Sequence, residues 1–140
     1  MAGLSPLAEI APDLAEWDYG DYEGARSVDI RRIRSDWNIF RDGCPNGETP
    51  SQISARADRL IARLRALNGN IALFSHGQFG CVLAARWIAL PVAHARNLSL
   101  STASLSILGS DPRHSDVPVI ALWNAISPEA TARDERERNG

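Results

Sequence analysis

The chain has no lysine. All 15 of its basic side chains are arginines, set against 17 acids, for a formal charge of −2. That balance gives no electrostatic pull toward nucleic acid or an anionic membrane, so neither is expected as a partner. The exclusive use of arginine is read as coding bias rather than as selection for phosphate forks. Cysteine is scarce as well: Cys44 and Cys81 stand in no metal-ligand spacing, and no secretory segment is expected to precede them. Reduced thiols, a cytoplasmic location and no bound metal are the expectations. No apolar run is long enough to span a bilayer. Histidine occurs only at 76, 94 and 114. What is present in quantity is apolar surface: 44% of 140 residues are hydrophobic, enough for one domain with a substantial core. There is no internal repeat.

Residues 4–15 read as a loop or short edge strand, interrupted by Pro6 and Pro12. The stretch Glu16-Trp17-Asp18-Tyr19-Gly20-Asp21-Tyr22-Glu23-Gly24 is too rich in glycine, aspartate and aromatics for a regular element. A short helix is expected over 28–33, continuing into Trp37-Asn38-Ile39-Phe40, and turn chemistry over 41–47. The next helix is the best specified. Thr49 suits the N-cap, Pro50 the first turn, and Gln52 completes a Thr-x-x-Gln capping box. Ile53, Ala57, Leu60, Ile61, Leu64 and Leu67 make one apolar stripe, with Arg56, Arg59 and Arg63 expected to point mostly outward into solvent. Asn68-Gly69 ends it.

Five residues suited to a buried strand, Ile71-Ala72-Leu73-Phe74-Ser75, then run directly into His76-Gly77 and a long apolar helix, expected over about 79–90 and stopped by Pro91. That junction places His76 at the carboxyl end of a parallel strand, beside a helix N-terminus that favours an anion. A histidine there can touch a phosphate, or can simply be satisfied by a backbone carbonyl. Leu98, Leu100, Leu105 and Ile107 suggest a strand, and residues 117–123 another, with Pro118 at its start. From 127 to 140 the chain is polar and charged, a tail expected to be disordered beyond a single domain over 1–126. Alternating strands and helices argue for an α/β layered fold.

Several motifs converge on one family. Residues 14–24 (Leu-Ala-Glu-Trp-Asp-Tyr-Gly-Asp-Tyr-Glu-Gly), then Gly47-Glu48-Thr49, Phe74-Ser75-His76-Gly77 and Trp123-Asn124, resemble the successive signatures of the histidine phosphatase (phosphoglycerate mutase-like) superfamily. The resemblance covers roughly residues 4–125. The stretch 37–49 is similar to the branch that contains sedoheptulose-bisphosphatase, which removes phosphate from a phosphorylated sugar. The implied fold is a three-layer α/β sandwich with a mostly parallel sheet. The implied activity is phosphomonoester hydrolysis through a phosphohistidine, on a phosphorylated small molecule and without a cofactor. By that resemblance His76 matches the histidine that steadies the phosphoryl oxygens, with Ser75 and Gly77 as substrate-binding neighbours. Glu16 matches the acid that protonates the leaving oxygen, a role suited to a carboxyl beside an anionic phosphate. Glu23 and Glu48 are the acids most easily confused with it. Trp17, Tyr19 and Tyr22 either line the mouth of the pocket or pack beneath a loop.

One departure from the family pattern is large. The attacking histidine belongs to an Arg-His-Gly motif on the first strand, and no histidine of this chain stands in that context or precedes Glu16. The chain thus reads as a family member without its amino-terminal section, Met1-Ala2-Gly3-Leu4 resembling the tail of the helix that follows the lost strand. His94 and His114 lie next to loop signals and read as surface residues. Two expectations follow: a phosphatase whose start is mis-assigned, or a short, catalytically inactive chain that serves as a phosphate-binding or interaction module or is a gene remnant. On either, the 140 residues alone are expected to be close to inactive, and the strand ending at His76 is left with an unpaired edge.

Overall fold

A computed structural model of the chain describes residues 8–126. The tail 127–140 and the start around Leu4 lie outside the described residues. Helix formation follows local chemistry closely. In α1 (Ser27–Ile33) and α2 (Ile39–Asp42), Ile30, Ile39 and Phe40 turn inward. α3 (Pro50–Arg65) opens with the expected reciprocal cap: the Gln52 N–H donates to the Thr49 hydroxyl at 3.3 Å, and the Thr49 N–H donates to the Gln52 side-chain oxygen at 2.8 Å. Its buried stripe is Ile53, Ala57, Leu60 and Ile61, while Leu67 lies past the helix end and is exposed.

That stripe packs on α4 (Gly77–Trp87), where Phe79, Cys81, Val82, Leu83, Ala84 and Ala85 are all buried. So much apolar surface on one short helix needs cover from several sides. α3, the 3-10 turn Val92–Asn97 and Leu100 supply it. α4 starts two residues earlier and stops three residues earlier than the sequence predicts. At its end Ala89 takes a left-handed φ of +62°, and the Ala89 and Leu90 N–H groups donate back to Arg86 and Ala85. This Schellman closure satisfies the last carbonyls before Pro91 is reached.

β1 (Leu105–Ser110) and β2 (Pro118–Ala125) pair antiparallel, Leu108 facing Ile120 and Ser110 facing Pro118, with an irregular register near Ile107. Leu98 and Leu100 do not join β1; they follow the 3-10 turn as irregular chain. Among the described residues the sheet is this two-stranded ribbon, and the strands of a mostly parallel sheet are not among them. One expectation is corrected here. The segment 70–76 forms no strand, so His76 does not end an internal one, and Ile71, Leu73 and Phe74 are exposed, Phe74 by 77%. The cause is the ladder: a parallel strand is held by neighbours on both edges, and no described segment pairs with 70–76. The core lies instead between the helices and the loops before them, where Trp17, Trp37, Phe40 and Cys44 join the α3 and α4 side chains.

Candidate active site

Two loops, 13–22 and 44–48, meet through glycine. Gly20 adopts φ +51°, and a Cβ there would lie 2.3 Å from the amide nitrogen of Gly47; one on Gly47 would lie 2.4 Å from the carbonyl oxygen of Asp18. Only hydrogen fits at either position. The contact is locked by Asp21 N–H on the Pro45 carbonyl and Glu48 N–H on the Asp18 carbonyl, both at 2.9 Å. The Trp17 indole N–H donates to the Glu48 carbonyl at 2.9 Å, and the ring is 2% exposed with its edge against Phe40. Tyr22 stacks edge-on against Trp37. Tyr19 is partly buried, and burial first, then the charge of Glu16, pushes its phenol up to about 12. Of the two readings of these aromatics, packing beneath the loops holds for Trp17 and Tyr22.

This platform carries Glu16 to the start of α4. One carboxylate oxygen accepts the Trp17 and Phe79 N–H groups, at 2.9 and 2.8 Å, and the other accepts the Gln78 N–H at 3.1 Å. The first turn of a helix has no internal acceptors for its N–H groups, and here a side chain more than 60 positions away in sequence provides two. Glu16 is therefore not the exposed loop acid that its surroundings in the sequence suggest. Its carboxylate lies at the end of the helix whose N-cap residue is His76. Glu23, by contrast, is exposed, and Glu48 is engaged elsewhere.

Glu48 is held by Arg56, and here the sequence reading is corrected. Arg56 does not point outward; its side chain is 11% exposed. Its Nε and one terminal nitrogen fork onto the two Glu48 carboxylate oxygens, both at 2.7 Å. The remaining N–H groups reach the carbonyls of Asp13, Ala15 and Glu16 at 3.0, 2.8 and 3.2 Å. The guanidinium also lies 4.3 Å from the centre of the Phe79 ring. Arg59 and Arg63 behave as expected, exposed and paired with Asp13 and Glu9. The missed signal was Glu48 itself, an acid just before the helix and two turns from an arginine bordering the apolar stripe.

Ser75, His76 and Gly77 are all exposed, and the His76 ring sits in no enclosed pocket among the described residues. The Ser75 hydroxyl donates to the Leu14 carbonyl at 2.7 Å, which ties the segment before α4 to the loop carrying Glu16. Of the N–H groups expected to receive an anion, Gln78 and Phe79 already serve Glu16. Gly77 has no described acceptor. Two clefts of about 260 and 270 Å³ flank Arg65 and Trp87 instead, and neither is lined by a predicted site residue. His94 lies in the turn Val92–Asn97 and His114 between β1 and β2, both exposed. Trp123 and Asn124 anchor the chain before β1: the indole donates to the Ser99 carbonyl and the Asn124 amide oxygen accepts the Ser101 N–H, each at 2.7 Å. No described group of three or more histidine, cysteine or acidic side chains could hold a metal, and no described helix is long and apolar enough to cross a membrane.

The sequence model of the histidine phosphatase superfamily (branch 1) matches residues 2–125. The chain belongs to that superfamily. Among its relatives, an acid phosphatase of Mycobacterium tuberculosis is 37% identical over 132 residues, covering 93% of this chain and 64% of that protein. Sedoheptulose 1,7-bisphosphatase of Saccharomyces cerevisiae is 41% identical over 97 residues, covering 57% of this chain and 36% of that enzyme. A solved structure of an open-reading-frame product of M. tuberculosis superposes with a TM-score of 0.77 at 37% identity, covering 84% of this chain and 61% of that one. The α/β fold of the histidine phosphatases is thus shared, and the chain spans less than two thirds of the length of these relatives.

Proposed function

We propose that this histidine phosphatase chain carries the charge-stabilising and proton-donating half of a phosphomonoesterase site. The observation that supports it most is the meeting of Glu16 with the start of α4, next to His76, across more than 60 residues of sequence. In this assignment His76 faces the phosphoryl oxygens, Ser75 and the Gly77 N–H border the substrate, and Glu16 protonates the departing oxygen. The substrate is a phosphorylated small molecule. The yeast sedoheptulose-bisphosphatase relative, with the motif stretch 37–49, favours a sugar phosphate. The mostly parallel sheet that the family resemblance implies would be built with strands that the described residues do not supply.

The same geometry favours a second reading for the 140 residues by themselves, that of a site that binds phosphate without turning it over. The other two histidines, His94 and His114, lie in the turn Val92–Asn97 and between β1 and β2, outside the loop and helix end that meet at Glu16. Transfer to a histidine needs an in-line nucleophile. Phosphate titration followed at the His76 ring by NMR, beside turnover of an aryl phosphate and a sugar bisphosphate, tests both readings. Perturbation of His76 at millimolar phosphate with negligible turnover is expected. No perturbation would overturn the phosphate site, and robust turnover that disappears in His76→Ala would overturn the assignment of His76 to charge stabilisation alone.

A further inference from the structure

We infer that Arg56 is the positioning residue of the Glu16 carboxylate. This rests on the site reading above, but the structural basis is separate. The guanidinium has five N–H groups, and each has an acceptor: two on Glu48 and one each on the carbonyls of Asp13, Ala15 and Glu16. Three of those five belong to the segment that ends in Glu16, so the backbone from 13 to 16 is wrapped on one side chain of α3.

The fork to Glu48 extends the hold past Glu16. The Glu48 carboxylate also accepts the Asp18 N–H at 3.3 Å, while its backbone pairs with Asp18 and with the Trp17 indole. Residue 16 is therefore pinned from both sides, by Arg56 before it and by the Arg56–Glu48 pair after it. The face of the guanidinium lies over the ring of Phe79, the same residue whose N–H Glu16 accepts at 2.8 Å. One arginine touches both the loop that carries the acid and the helix end that receives it.

Chemistry makes the choice of arginine specific. A planar fork presents two parallel donors to a carboxylate and three more to carbonyls. Lysine, with three donors on a point charge, cannot serve five acceptors in one plane. The long side chain is nearly buried, so its packing on Phe79 adds to the ordering.

Amide hydrogen exchange tests this without relying on turnover. The N–H groups of Gln78 and Phe79 lie in the first turn of α4, and their described acceptor is Glu16, so their protection reports whether Glu16 is in place. Glu16→Ala should lower protection at 78 and 79 by about tenfold or more, as expected for loss of a hydrogen bond to a charged group. Arg56→Met and Arg56→Lys should do the same with residue 16 intact, while the interior amides of α4 at 82–85 change less. Glu48→Gln should give a smaller loss. If Arg56 merely stabilises the fold, all α4 amides will lose protection together, or 78 and 79 will stay protected in Arg56→Lys; either result overturns the inference. Failure of phosphate to perturb His76 in the unmutated chain would instead sink the proposed function and leave the exchange result standing.

Discussion

Gly20 and Gly47 lie back to back, so close that a Cβ on either would fall 2.3–2.4 Å from backbone of the opposite loop. The two motifs that flank them, one carrying Glu16 and the other Glu48, are brought into register by this contact. The two loops are thus held together by backbone proximity and by backbone hydrogen bonds, and the side chains they carry follow.

Substituting either glycine with alanine should therefore disturb more than the glycine. Gly47→Ala has nowhere to put its methyl group except into the Asp18 carbonyl, and Gly20→Ala adds a left-handed backbone cost. A loss of about 1–3 kcal/mol in urea unfolding is expected for each. Gly24→Ala, where a Cβ would meet nothing within 4 Å, should cost only the strain of its positive φ, about 1–2 kcal/mol at most. Equal stability of Gly47→Ala and the unmutated chain would show that the loops can separate freely.

Phenylalanines at 79 and 74 should behave oppositely. Phe79 is fully buried, and Phe79→Ala should cost about 3–5 kcal/mol. Phe74→Ala should change stability by less than about 0.5 kcal/mol. Denaturant midpoints decide the matter, and a large loss at Phe74 would mean that segment 70–76 is covered in solution.

An uncovered segment has a further consequence. Ile71, Leu73 and Phe74 present apolar side chains on backbone that has no ladder partner among the described residues, a template for pairing with other chains. The 140-residue chain should self-associate with rising concentration, and Phe74→Lys should reduce that association in light scattering or sedimentation. Monomeric behaviour at all concentrations would count against it.

Both thiols should be inert in the folded chain. Burial pushes Cys44 up to about 11, with added repulsion from Asp18 and Glu23, and pushes Cys81 to about 11, with a contribution from Glu16. The thiolate is the reactive form, and it is scarce near pH 8. Labelling by a thiol reagent at pH 8 should be slow until denaturant is added. Rapid native labelling of Cys81 would mean that the α4 packing opens readily.

Asp42 should make stability sensitive to acid. Its hydrogen bonds from Arg41, supported by the Asn38 N–H at 2.8 Å, lower it from 3.8 to about 2. A depressed acid stabilises the folded state fully above its unfolded value and loses that contribution as pH falls through the folded one. The stability difference between the unmutated chain and Asp42→Asn should accordingly shrink between about pH 4 and pH 2. A difference that stays constant over that window would show that the charge on Asp42 contributes nothing, as is common for solvent-exposed pairs such as this one with Arg41.

Much of this protein follows from local sequence because the interactions concerned are local. The Thr49–Gln52 cap, the α3 stripe, the family motifs and the helix that begins after His76 all involve residues a few positions apart. Tertiary structure decided what depends on distant partners. Whether Ile71–Phe74 is a strand rests on neighbours across a ladder, which a period-two apolar pattern cannot supply. Whether Glu16 is an idle loop acid or the cap of α4 rests on Gln78 and Phe79, and Arg56 looked solvated because three of its five acceptors are carbonyls, which no residue type reveals. Local hydrogen bonding is written in the order of side chains; the pairing of backbone groups across the fold is settled only when the chain closes on itself.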